Sequence, residues 1–242
     1  MKYFLLLSIV LTSLLSSACT RQTLLARAIY DRNIRSVEIL LEAGASPSEP
    51  LDEGGALTPL IEATVVRSPT VAQVLIDHGA DVNAITKTGT ALQSAAISGD
   101  CQMIKLLVGN GAQVDLAKDR FGSTALMSAI AGTTSTGKLD GVKCLLELGA
   151  SVNVRMKAPS VLRQAVFEDN PALVQMLLDA GADPTLQDDC GRTAEDYAAE
   201  TLKTGIFKHD HTEQILQLLH SKSGQTSVHS DPPSDDDCTC RQ

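Results

Sequence analysis

The sequence predicts an all-α protein built as a stack of about six similar units, and three observations carry that prediction. Gly-Ala pairs at Gly44-Ala45, Gly79-Ala80, Gly111-Ala112, Gly149-Ala150 and Gly181-Ala182 each close a leucine-rich stretch such as EILLEAGA or QVLIDHGA. Thr or Ser opens each unit at Thr23, Thr58, Thr90, Thr124, Ser160 and Thr193, and opener and closing glycine lie 21 residues apart in four of the five complete units. The chain has 242 residues but no Trp, three Tyr and four Phe. A single compact core of that size normally leans on aromatics, whereas a stack of small-residue helices need not.

In chain order, the N-terminus comes first. Lys2 is the lone charge ahead of an apolar run from Tyr3 to Leu15, and Ser16, Ser17 and Ala18 are small. This is the layout of a secretory signal, residues 1–18, and about 13 apolar residues fall short of the ~20 that span a bilayer. Ser16-Ser17-Ala18-Cys19 also resembles the lipobox of bacterial lipoproteins, with Ser16 where leucine is usual. The resemblance implies cleavage before Cys19, diacylglycerol on its sulfur and an acyl chain on its new amine. Plain secretion with an ordinary cut, or a retained anchor, are the alternatives. Three acyl chains bury enough methylene to make an anchor effectively permanent. Thr20 after the cysteine, in place of aspartate, implies sorting to the outer membrane, on its periplasmic face.

Loss of Lys2 takes the net charge from −9 to −10, 19 basic against 29 acidic side chains. That balance excludes non-specific nucleic-acid binding, which needs a basic footprint.

The repeated units resemble ankyrin repeats over roughly residues 23–222. The family's Thr-Pro-Leu-His-x-Ala opening appears as Thr58-Pro59-Leu60-Ile61-Glu62-Ala63 and, less completely, from Thr90, Thr124 and Thr193; its closing Gly-Ala-Asp-Val-Asn is intact at Gly79 to Asn83 and nearly so at Gly149 to Asn153. The resemblance implies a solenoid of helix-turn-helix units with β-hairpin-like connecting loops, divided at about 23–50, 51–83, 84–115, 116–153, 154–185 and 186–222. Each opener is expected to cap a first helix, Pro59 to sit where its missing N–H costs nothing, and each closing glycine to end a second helix in the left-handed conformation. Asn83, Asp115 and Asn153 are expected to bond their own backbone and hold the hairpin turns. Residues 19–22 form the lipidated N-terminus and a short tether, and residues 223–242 read as a disordered acidic tail.

Ankyrin domains grip protein partners with the hairpin tips and first helices of their concave face, so the tips are the expected site. The first tip carries Glu49, Asp52 and Glu53; the middle ones carry Lys87, then Lys118 and Arg120 beside Phe121, then Arg155 and Lys157; the last carries Asp188 and Asp189. A basic middle between acidic ends suits a partner of opposite pattern, with Phe121 and Arg120 as the first anchors. The fourth unit stretches to 25 residues between Thr124 and Gly149. Its surplus, Gly132 to Gly141, is expected to break the turn between helices, and Leu139 after Gly137-Lys138 departs from a phosphate loop.

Chemistry of other kinds is not expected. His78 suits a helix end, and His209-Asp210-His211 is a weak metal pair. With Cys19 taken by lipid, five cysteines remain, and regular stacking makes bridges among Cys101, Cys144 and Cys190 awkward. Cys238 and Cys240 sit in the tail, where a small-ring disulfide, a link to another chain or a soft metal are alternatives to an unremarkable pair. No cofactor, metal, nucleic acid or small-molecule substrate is expected. The sequence reads as a non-enzymatic, membrane-anchored protein-binding module of the bacterial envelope. An immunity protein that sequesters an envelope-targeted toxin such as a phospholipase is one job; a scaffold or chaperone for a periplasmic enzyme, for example an oxidative-stress enzyme, is the alternative. An enzyme or a structural envelope protein is more distant.

Overall fold

The computed structural model describes residues 18–117, 123–154, 160–188, 190–204 and 211–223. Among these residues lie twelve helices: α1 (Ala18–Tyr30), α2 (Ile34–Glu42), α3 (Pro59–Val65), α4 (Pro69–Asp77), α5 (Ala91–Ile97), α6 (Cys101–Gly109), α7 (Ala125–Thr136), α8 (Asp140–Glu147), α9 (Val161–Phe167), α10 (Pro171–Asp179), α11 (Ala194–Thr204) and α12 (Thr212–Ser223). They form six consecutive helix pairs, so the all-α repeat architecture expected from the spacing is what the chain adopts. The hairpin-like loops contribute one isolated antiparallel bridge among the described residues, Thr86 with Gly89.

The chain groups into two compact bodies, Met1–Gln113 and Val114–Gln242. In the N-terminal body α1 packs on α3 and α3 on α5, while α2, α4 and α6 form a second row. Its fully buried side chains include Leu25, Ile29, Leu60, Leu75, Leu92 and Leu107. In the C-terminal body α9 packs against both α7 and α11, and α10 against α12, over Leu126, Ile130, Leu145 and Leu162. Each such leucine contributes about 1.5–3 kcal/mol by leaving water. The alanine five residues after each opener, as at Ala63, Ala95 and Ala165, is wholly buried. With no side chain beyond Cβ, it lets first helices lie close.

Caps fix where the helices start. Thr58, Thr90, Thr124 and Ser160 each accept the N–H three residues on, at 3.3, 3.2, 3.5 and 3.2 Å. Gln93 returns the bond to the Thr90 N–H, completing a capping box. Thr193 and Asp196 make the same reciprocal pair with a carboxylate, at 3.2 and 2.7 Å. Second helices end in one repeated way. At Gly79 (φ +90°) the Gly79 N–H reaches the Ile76 carbonyl and the Ala80 N–H the Leu75 carbonyl, both at 2.9 Å. This double bond around a left-handed residue satisfies carbonyls that the helix end would otherwise orphan.

Four expectations need correction. Thr23 caps nothing: it lies inside α1 and donates its hydroxyl to the Cys19 carbonyl at 2.9 Å. No Pro or Gly interrupts Ala18 to Thr23, so the helix runs back through Cys19 and includes residues 19–22.

The surplus of the fourth repeat does not break the turn at Gly132 either. It prolongs α7 to Thr136, and the chain turns at Gly137 (φ +65°). Gly132 is buried, and the Thr133 hydroxyl donates to the Ile130 carbonyl at 2.7 Å, so polar and small residues stay helical there.

Asn83, Asp115 and Asn153 bond the next repeat instead of their own turns. Asn83 donates to the Gly111 carbonyl (3.0 Å) and accepts the Gln113 N–H (2.9 Å); Asn153 does the same with Gly181 and Asp183, both at 2.8 Å. Asp115, with no donor, accepts the Ser151 N–H at 3.0 Å and its hydroxyl. Ser48 accepts the Asp81 N–H at 3.1 Å, and Gln22 of α1 accepts the Ser46 N–H at 3.2 Å. Every one of these side chains meets the N–H two residues after a closing glycine.

Finally, Cys101, Cys144 and Cys190 are each disulfide-bonded, where bridging had looked awkward from the spacing of the units. Cys19 is free and exposed.

Candidate binding surface

Of the tip residues expected to bind a partner, Lys87 and Asp188 are described; Lys118, Arg120, Phe121, Arg155, Lys157 and Asp189 lie outside the described residues. Lys87 is exposed at a turn closed by the Thr86 N–H on the Gly89 carbonyl (3.0 Å) and by the reverse bond at 3.2 Å. The Thr88 hydroxyl ties this tip to the Ala56 carbonyl of the previous one at 2.7 Å. In that earlier tip Asp52 accepts the Leu57 and Ala56 N–H groups at 2.7 and 3.0 Å. Those backbone bonds, led by Leu57, hold its carboxyl below the ordinary range. Asp52 therefore shapes its loop as well as charging it.

Asp188 is turned inward, its side chain 10 % exposed. Its Oδ1 accepts the Cys190 and Arg192 N–H groups at 2.8 and 3.0 Å, and its Oδ2 accepts the Tyr197 hydroxyl at 2.8 Å. The Arg163 and Arg192 guanidinium groups lie 3.6 and 3.7 Å from Oδ2 and also stack on the Tyr197 ring, 3.7 and 4.3 Å from its centroid. Burial alone would raise the Asp188 carboxyl, but the Arg192 N–H, the Tyr197 hydroxyl, the Cys190 N–H and the Arg192 charge outweigh it and hold the group below its ordinary value. Burial and the bond to Asp188 push Tyr197 up to about 12. The charge of Asp188 is thus largely spent within the fold.

The three described histidines are likewise engaged. His78 Nδ1 lies 2.9 Å from the Val74 carbonyl at the end of α4, the helix-end role expected of it. His211 meets Asp169 at 3.2 Å, and His220 joins α12 to Glu195 of α11 at 2.7 Å. No group of three or more potential metal ligands occurs among the described residues.

A different surface emerges from the helices. Seven positions after four of the six openers the first helix ends on an exposed apolar residue: Tyr30, Val65 and Ile97 in the N-terminal body are 64, 60 and 48 % exposed, and Phe167 in the C-terminal body is 62 % exposed. Because α1, α3 and α5 pack in sequence, the first three stand in a row, one step per helix. At helix spacings of about 8–10 Å the row runs roughly 16–20 Å. Large apolar side chains repeated at one exposed frame position form a patch, the mark of an interaction surface, where scattered ones would not.

Beside this row the chain turns through the left-handed conformation, at Arg32 (φ +53°), Arg67 (φ +52°) and Gly99 (φ +66°). Glycine adopts it freely, whereas an L-residue there costs about 1–2 kcal/mol. Arg27 lies 5.8 Å from the Tyr30 ring centroid and pairs with Asp31 at 2.8 Å. Arg67 donates to the Ser98 carbonyl at 3.2 Å while remaining exposed. Glu62, half-buried within the strip, has its carboxyl raised by burial. Sequence reasoning fixed on the tips and passed over this row. The signal that reveals it is the register itself: counting seven from each opener returns Tyr, Val, Ile, Ala, Phe and Glu where a solvent-facing helix end calls for polar residues.

Comparison with known proteins agrees with this architecture. Family models for ankyrin repeats match residues 57–87 as a single repeat, 84–156 as three copies and 162–220 as many copies. The B-cell lymphoma 3 protein homolog of Mus musculus is 30 % identical over 223 residues, covering 89 % of this chain and 46 % of that protein. A putative ankyrin repeat-containing protein of Treponema pallidum (strain Nichols) is 32 % identical over 130 residues, covering 53 % of this chain and 42 % of its own. The chain thus spans less than half the length of these curated relatives. Among solved structures, the human ASB11 ankyrin repeat domain superposes with a TM-score of 0.68 at 26 % identity over 84 % of each chain. The ankyrin repeat domain of Bcl-3 gives 0.61 at 22 % identity over 81 % of this chain and 97 % of that one, a likeness of fold. Caps, left-handed closing glycines, side-chain links between repeats and these matches converge: the chain belongs to the ankyrin-repeat family, whose repeats bind other proteins.

Proposed function

We propose that the chain is a lipid-anchored protein-binding module of the bacterial cell envelope, which sequesters an envelope-targeted toxin such as a membrane-degrading phospholipase and so acts as its immunity protein. The observation that carries the reading is Cys19. It is exposed and free on the first turn of α1, immediately after the apolar N-terminal run, so its sulfur is open to acylation. Cys101, Cys144 and Cys190 are bonded, the state thiols reach in an oxidising compartment outside the cytosol. A lipid on Cys19 would hang directly from a helix built into the first repeat, since Gln22 one turn on is bonded to Ser46 and Glu49. The repeats would then be held beside the membrane, within reach of a toxin that acts there, and no active-site chemistry is required of them.

The test is intact-mass analysis of membrane fractions from cells making the wild type or Cys19→Ser, followed by crosslinked capture from each. The expected result is a triacyl mass on the wild type, absent from the variant, and a toxin captured from the membrane only with the wild type. A soluble, unlipidated wild type removes the anchor. A resident periplasmic enzyme as the captured partner replaces immunity with scaffolding.

A further inference from the structure

We propose that Tyr30, Val65 and Ile97, with Arg32 and Arg67 along one side, form a docking strip for an acidic amphipathic helix of the partner protein. The inference rests on the protein-binding reading and names the partner's chemistry. Three features lead to it: the apolar row, its pitch and the charge beside it.

The row steps from one first helix to the next, about 8–10 Å each time. An α-helix rises 1.5 Å per residue, so residues seven apart lie about 10.5 Å apart on one face. Apolar side chains at i, i+7 and i+14 therefore meet Tyr30, Val65 and Ile97 in turn. An extended segment does not match. Three of its residues cover about 10 Å, but successive side chains alternate faces, so every second contact would point away.

Charge selects the flank. The chain as a whole carries −9, yet the left-handed turns beside Tyr30 and Val65 hold Arg32 and Arg67. Glycine, as at the equivalent Gly99, would fit that backbone without strain. The single bond from Arg67 to the Ser98 carbonyl uses one of its five N–H donors, and both arginine side chains stay exposed beside the row. A guanidinium so placed can pair with a partner carboxylate, and such pairs are charge-assisted and geometrically selective. The acidic residues of the incoming helix belong on the Arg32 and Arg67 side of its apolar stripe, and a basic helix is repelled there.

The test uses the full chain and a labelled helical peptide of roughly 18 residues, with leucine at every seventh position and glutamate along one flank. Its twins carry lysine in place of glutamate, or serine in place of leucine. Fluorescence anisotropy should show the glutamate peptide binding at least about tenfold more tightly than either twin. Val65→Ser should weaken it. The double variant Arg32→Gly/Arg67→Gly should lose about tenfold in affinity while still unfolding in one cooperative transition, because glycine suits the turn and only the exposed Arg67–Ser98 bond is lost.

Equal binding of the glutamate and lysine peptides, no binding at all, or full affinity in the double variant overturns the proposal. So does an affinity that rises about tenfold when residues 224–242 are deleted, since the chain's own acidic tail would then be the occupant. Crosslinked capture separates this from the broader reading. A membrane partner still captured by Val65→Ser and by the double variant refutes the strip and leaves protein binding standing, whereas no captured partner with any of the three chains refutes both.

Discussion

Replacing Asp188 by Asn separates a residue that faces a partner from one that holds the fold. In the structure its carboxylate accepts three hydrogen bonds and lies within 3.7 Å of two guanidinium groups. Hydrogen bonds to charged groups contribute about 1.5–3 kcal/mol each but do not add in full. Breaking a well-buried ion pair costs about 3–5 kcal/mol, and Arg163, whose side chain is 30 % exposed, reduces that because water can reach it. A loss of about 3 kcal/mol is the expected balance, or roughly 6–12 °C in melting temperature for a protein of this size. The assay is thermal unfolding followed by circular dichroism at pH 7 and again at about pH 2, below the ordinary aspartate value near 3.9. A carboxyl whose folded value is depressed contributes stability above its unfolded value and loses it as pH falls through the folded one. The gap between wild type and Asp188→Asn should therefore be complete at pH 7 and narrow as pH falls below the ordinary aspartate value. Equal melting temperatures at pH 7 would refute the internal role and return Asp188 to the partner surface.

Other outcomes follow from the same geometry. The absorbance of wild type minus Tyr197→Phe at 295 nm should titrate at about 12, and the stability tied to that hydroxyl should be present below pH 10 and lost as pH rises through that value. Asn83→Ala removes two bonds to the next repeat and should cost about 1–3 kcal/mol in urea unfolding, with Asn153→Ala matching it and a change under about 0.3 kcal/mol counting against the link. Alkylation of denatured, non-lipidated protein followed by peptide mapping should label Cys19 before reduction but Cys101, Cys144 and Cys190 only after it; label on those three beforehand would contradict the bonded state.

What could be read from the sequence was whatever a short window encodes. Thr58-Pro59 and the Gly-Ala closures act within a few residues, through a cap and a left-handed turn, so their spacing alone announced the helix pairs. Misreadings arose where a residue acts on something distant in sequence. Asn83 looked like a turn residue because its type bonds locally in most loops, yet its amide reaches Gly111 and Gln113. Thr23 looked like a cap because its frame position is one, but the helix already runs from Ala18 through it. Asp188 looked like a surface charge until Arg163 and Tyr197 came to it from α9 and α11. Cys101, Cys144 and Cys190 are far apart along the chain, and their bonded state belongs to the folded backbone. The apolar row was written in the sequence at a fixed offset, but whether position seven faces water or core is decided by packing, which composition does not report.

Gln22 has a consequence for how the stack ends. Its side chain occupies the Ser46 N–H and the Ser46 and Glu49 carbonyls, the backbone stretch whose counterparts in later repeats are filled by Ser48, Asn83, Asp115 and Asn153 from the repeat before. The first repeat thus completes its own rung, because the Ser46 N–H that a side chain from a preceding repeat would meet is already taken by Gln22. End-to-end growth into a filament loses its template at this terminus, as an edge strand does once it is covered.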